Sequence, residues 1–148
     1  MLKGRYHSTR LFSHIWLTGF CRVGTVEISE YHRSLIGKDL PLGAGFIWYE
    51  SSLIVPITSP PVIPSSEVAP GSIYIHKDNA AKPGEKFFAW QFTLAKTWKN
   101  VTESYRSDNG TVEHPSFKDR ILCQYRKTGD KPSYINRESF KSRSSKTS

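Results

Sequence analysis

The sequence predicts a mainly β fold, a single antiparallel sandwich or partly open barrel with one or two short helices. Three observations carry that expectation. Phe88, Trp90, Phe92 and Leu94 recur at every second residue, with Ala89, Gln91 and Thr93 between them. That period places the large side chains on one face of a pleated strand, whereas a helix would scatter them. Further short runs of apolar and β-branched residues recur along the chain, and six to eight strands are expected. The nine prolines and ten glycines supply the turns between them.

Residues 1–22 form a basic amphipathic N-terminal segment ahead of a β-rich domain at 23–140. Leu11, Phe12, Ile15, Trp16 and Phe20 follow helical spacing, with Ser8 or Thr9 to cap the start and Gly19 to end it. Acid-free, basic and amphipathic, the segment has the composition of a mitochondrial transit peptide. The competing reading is an ordinary helix packed on the domain. Ser13 and His14 interrupt the apolar run that a secretory signal requires. No apolar run approaches the roughly 20 residues needed to span a bilayer, and an intracellular protein, mitochondrial on the first of these readings, is expected.

The domain opens with a strand at 23–29. A helical turn is expected next, because Tyr31 and Leu35 are four apart. Gly43-Ala44-Gly45 is a turn and not a phosphate loop, since no Gly-Lys-Ser/Thr follows. Strands are expected at 46–49 and 53–57, joined by Glu50-Ser51-Ser52 as a hairpin. The Pro-rich stretch 58–70 reads as an extended connection, and its Pro61-Val62-Ile63-Pro64 satisfies a PxxP spacing.

A strand at 72–77 and the aromatic strand of the 85–94 stretch follow, and a continuous or kinked strand is expected to carry on through Thr97 to Thr102. Asp108-Asn109-Gly110 is a strong turn signal. The sequons at Asn100 and Asn109 are chance matches unless the chain is secreted. Strands at 119–126 and 132–135 form a closing hairpin, with Ile121, Cys123 and Tyr125 on one face. Asn136 caps a last helical turn, and residues 141–148 read as a mobile, basic, Ser-rich tail whose serines could take phosphate.

The net charge of +8 sits at the two ends. Residues 1–26 carry Lys3, Arg5, Arg10 and Arg22 without an acid, and the middle of the chain is close to neutral. Lys118, Arg120, Arg126, Lys127, Lys131, Arg137, Lys141, Arg143 and Lys146 crowd the last 31 residues against three acids. Such a surface suits a nucleic-acid phosphate backbone or an acidic protein partner, with Tyr125 and Tyr134 placed to stack on bases. The competing reading is a solvated hairpin and tail.

Catalytic and metal chemistry find little support. His7, His14, His32, His76 and His114 lie in no close pair of the kind that structural zinc sites use, and no CxxC accompanies Cys21 and Cys123. A nucleophilic pair would need Cys123 beside His76 or His114. No carboxylate pair stands out. No cofactor and no metal is therefore expected. The sequence points first to a non-enzymatic binding or assembly module whose basic ends contact nucleic acid or an acidic partner. An imported mitochondrial subunit of a larger assembly, or a small enzyme with an unidentified pocket, are the alternatives.

Overall fold

The computed structural model describes residues 9–12, 15–23, 26–35, 40, 44–60 and 68–146, with side chains described from 27 to 143 within those spans. The Pro61–Pro64 motif, His7 and His14 lie outside the described residues, as does the side chain of Cys21. Seven strands form one sheet in sequence order: β1 (Thr9–Phe12), β2 (Ile15–Val23), β3 (Val26–Ser34), β4 (Gly45–Leu53), β5 (Ile73–Asp78), β6 (Phe87–Phe92) and β7 (Trp98–Asn100). Helix α1 (Thr102–Ser107) follows, then a two-stranded sheet of β8 (Arg120–Gln124) and β9 (Pro132–Asn136), and helix α2 (Arg137–Lys146). The protein is mainly β with two short helices, and the large sheet does not close into a barrel.

One pairing departs from the antiparallel pattern. Strands β4 and β5 are parallel, with Tyr49 opposite Tyr74 and Ser51 opposite His76. A parallel neighbour cannot be reached by a tight turn, so the chain must travel back along the sheet first. Residues 54–72, the crossover, connect the two strands, and of these 54–60 and 68–72 are described.

Over the strands whose side chains are described, both faces of the sheet are covered. On one, Phe46, Trp48, Ile73, Ile75 and Ala89 pack with Tyr105 of α1 and with Leu122 and Tyr134 of the small sheet. On the other, Tyr49, Tyr74, Trp90 and Phe92 pack with Val68 and Ile57 of the crossover. Strand β6 divides as its alternation requires: Phe88, Trp90 and Phe92 serve the second face, Phe87 and Ala89 the first. Trp98 folds onto the second face, edge-on to Phe92, Tyr74 and Tyr49 with centroids 5.1, 6.3 and 6.4 Å apart. Full burial of such rings contributes roughly 1.5–3 kcal/mol each.

Several expectations are corrected. Residues 9–12 and 15–23 are strands, not a helix, and β2 pairs along its length with β3. Tyr31 and Leu35 share a face in a strand too, because four is also an even spacing; Val26–Ser34 is extended. Glu50 and Ser51 do not turn the chain: both lie within a continuous β4, where Glu50 meets Tyr31 of β3 and Ser51 meets His76 of β5. The chain does turn at 93–97, where Lys96 adopts a left-handed φ of 62°, and Leu94 is left 65% exposed. Beyond Asn100, whose Oδ1 accepts the Thr102 N–H at 2.9 Å, the chain becomes α1. Tyr125, expected on one face with Ile121 and Cys123, lies past the end of β8. Leu122 packs toward the large sheet, while Ile121 and Cys123 are buried as well.

The end of the chain is more ordered than expected. Asn136 Oδ1 accepts the Ser139 N–H at 2.7 Å, as an N-cap does, but α2 continues to Lys146 through the stretch read as a tail. Phe140 is its one apolar residue, and its ring packs so closely on Gly110 that a Cβ there would lie 2.6 Å from it.

Candidate functional site

The basic residues singled out in the sequence divide into two groups. Arg126, Lys127 and Lys131 sit on the turn between β8 and β9. Lys118, Arg120 and Arg137 lie at the opposite end of that hairpin, where Arg120 pairs with Asn136. Arg143 joins the first group: its Nη1 donates to the Gln124 carbonyl at 2.8 Å, which brings the last turns of α2 beside the β8–β9 turn. Lys141 is exposed on the same helix.

The turn is held firmly. The Tyr125 N–H donates to the Lys131 carbonyl at 2.7 Å, and the Thr128 hydroxyl lies 2.6 Å from Asp130 Oδ1. Gly129, at φ 85°, seats its Cα against the Phe87 ring, and its carbonyl accepts the Tyr105 hydroxyl at 2.9 Å. Arg126 and Lys127 are exposed at the apex on consecutive left-handed φ angles of 55° and 57°. Ordinary residues pay roughly 1–2 kcal/mol each for that conformation. Asp130 is kept ionised: burial alone would raise its carboxyl, but hydrogen bonds from Thr128 and the charge of Lys131, 3.3 Å away, outweigh it and bring it down.

Not every residue nominated from sequence is available for contact. Tyr134 offers no face to a base. It is 3% exposed, and its hydroxyl donates to the Gly71 carbonyl at 2.7 Å and accepts from Gln91 Nε2 at 3.0 Å. Tyr125 is half-buried, with the Arg33 guanidinium 3.8 Å over its ring and that of Arg126 5.2 Å away. Both rings serve packing instead of stacking. Arg120 is buried as well, and Arg137 is ion-paired to Glu113.

A second concave region lies between α1, β6, β7 and residues 111–118. It holds about 460 Å³ and is lined largely by polar side chains. Lys99 and Lys118 stand exposed on its walls, and Gln91 and His114 line it from positions that are 5% and 3% exposed. The His114 Nδ1 accepts the N–H groups of Ser116 and Phe117 at 3.0 and 3.2 Å, so it carries no proton and the ring is neutral with its proton on Nε2. Burial pushes its pKa down to about 4. No local pattern announces this cleft, because its residues come from separate stretches of the chain.

Two buried polar groupings were also missed. The His76 Nε2 lies 2.8 Å from the Val55 carbonyl, which can only accept, so the proton is on Nε2. Nδ1 must then accept from Ser51, 2.8 Å away, and Ser51 accepts from Tyr74 at 2.7 Å. A hydroxyl–imidazole pair resembles a nucleophile and its base. Here His76 has no exposed surface and both nitrogens are bonded, so the relay fastens the crossover to the sheet. On the other face, burial raises the Glu50 carboxyl, with Lys131 opposing and Asp130 adding to the rise. Tyr31 hydrogen-bonds to Glu50 and its pKa is raised to about 12, chiefly by burial.

Cys123 is a buried free thiol pushed up to about 12 by burial, the wrong direction for a nucleophile. The charges acting on it come from Arg143, Asp108 and Arg33, not from His76 or His114. Among the described residues, no three His, Cys, Asp or Glu side chains converge as a metal site, and no helix is long and apolar enough to cross a membrane. Comparison with protein-family models, curated proteins and solved structures finds no match to this chain.

Proposed function

We propose that the protein is a non-enzymatic binding module that grips a nucleic-acid phosphate backbone with the β8–β9 turn and the adjoining end of α2. The observation that carries this reading is the display of Arg126 and Lys127. Two long cationic side chains occupy consecutive strained positions at an exposed apex whose base is fixed by Tyr105, Phe87 and Gly129. Two consecutive strained residues held at a surface apex motivate a functional reading. Lys141 on α2 extends the cationic surface.

The contact is electrostatic and indifferent to sequence. With Tyr125 and Tyr134 committed to packing, phosphates are recognised and bases are not. Binding to a single strand and to a duplex is measured across a salt series. Engagement of about three phosphates gives a log–log slope of about −2 to −3. A slope near zero overturns the proposal. Binding confined to an acidic protein, with none to nucleic acid at low salt, assigns the same surface to protein assembly instead.

A further inference from the structure

We propose that the cleft between α1, β6, β7 and residues 111–118 binds a small phosphate monoester with a hydroxylated, non-aromatic body, such as a sugar phosphate. This site does not depend on the basic turn.

Charge selects the anion. Lys99, from the edge strand β7, and Lys118 both line the cleft and are exposed, and neither makes an ion pair among the described residues. The one carboxylate on the walls, Glu113, is held by Arg137 and adds no net charge. Two ammonium groups over a concave surface match a dianionic phosphate, with Lys acting as a point charge.

Buried polar groups select the body of the ligand. Gln91 is 5% exposed, and its orientation is fixed: Nε2 donates to the Glu113 carbonyl and to the Tyr134 hydroxyl, both at 3.0 Å. That orientation leaves Oε1 as the acceptor end of a side chain that lines the cleft. A ligand hydroxyl can donate to it. Ser104 and Thr111, whose hydroxyls are 3.0 Å apart, supply further partners on the wall. The apolar lining is limited to Val101, Val112 and Pro115, no Phe, Tyr or Trp lines the cleft, and the His114 ring is only 3% exposed, which offers a nucleobase little to stack on. The volume of about 460 Å³ falls within the range of small-molecule sites.

The test uses the full chain and glucose 6-phosphate, with glucose as the uncharged control, read by backbone amide shifts in NMR titrations. Saturable shifts at residues 91, 99–104 and 111–118 are expected with glucose 6-phosphate and not with glucose. K99A/K118A should weaken binding at least ten-fold, whereas R126A/K127A should leave it unchanged. Gln91→Leu should weaken glucose 6-phosphate further than it weakens inorganic phosphate. Absence of saturable shifts at these amides, or equal binding by K99A/K118A, overturns the proposal. Loss on R126A/K127A instead would assign the anion to the turn and overturn it as well, while leaving the polyanion reading intact.

Discussion

Arg143 of α2 donates from Nη2 to Asp108 Oδ2 across 2.5 Å, joining the last helix to the residue that ends α1. Asp108 holds this position in a left-handed conformation, φ 52°, and its other oxygen accepts the Gln124 N–H at 3.0 Å. One carboxylate thus ties α1, β8 and α2 together. It also fixes the helix end that flanks the basic turn.

Replacing Asp108 with Asn keeps the shape and the tolerance for positive φ but removes the charge. The pair is largely buried, so a loss of about 1–3 kcal/mol is expected. Urea denaturation measures it, and amide exchange in α2 should accelerate. An unchanged midpoint would mean that the Asp108 charge contributes nothing net and that Phe140 and the other contacts of α2 hold the helix.

Ser51→Ala removes the donor to His76 Nδ1 and the acceptor for Tyr74 while leaving the buried ring in place. Leaving such groups unsatisfied costs about 1–3 kcal/mol. The loss should be seen in thermal or urea unfolding, together with greater protease sensitivity in the crossover at 54–60. A stability equal to that of the parent would show that the relay contributes nothing net.

The buried imidazole of His114 gives a pH dependence of known sign. Its pKa in the fold is about 4, against 6.5 for the ordinary side chain. The unfolded chain therefore binds the proton first as pH falls. The stability at stake is fully present above pH 6.5 and is lost between there and pH 4, by on the order of 3 kcal/mol. Glu50 acts oppositely, since a raised carboxyl favours the fold most at low pH and loses that contribution as pH rises through its folded value. The difference between parent and His114→Asn isolates the histidine, because Asn cannot titrate and can still accept the Ser116 N–H. A difference that does not vary with pH would contradict the assignment.

The apex separates stability from binding. R126G/K127G relieves two left-handed backbones, so the variant should be as stable as the parent or more stable by about 1 kcal/mol. Its nucleic-acid affinity should nevertheless fall several-fold. Calorimetric unfolding and anisotropy together test both halves. A clear loss of stability would mean that the two side chains hold the turn rather than face a partner.

Much of the architecture is legible in the residues because period-two patterns are local. The alternation in Phe87–Phe92, the turn at Asn109-Gly110 and the cap at Asn136 can each be read within a few positions. The parallel pairing of β4 with β5 cannot, since it depends on where a long Pro-rich segment travels. Buried polar residues mislead in a consistent way. Glu50 and Ser51 resemble a turn until Tyr31 and His76 are placed beside them. The basic turn was visible as composition, whereas the burial of Tyr134 and Arg120 was not, because the partners of Tyr134 at Gly71 and Gln91 are distant in sequence. The cleft was invisible for the same reason: Gln91, Lys99, Ser104 and Lys118 meet only in the fold.

The most direct test is the affinity of a fluorescently labelled single strand for the parent and for R126A/K127A/K141A, at about 50 and 200 mM salt. All three positions are exposed, so the variant should fold as the parent does. The basic turn predicts binding by the parent that weakens at least ten-fold between the two salts, and weak, nearly salt-independent binding by the variant. Equal binding by both proteins, or no binding by the parent at low salt, would contradict it.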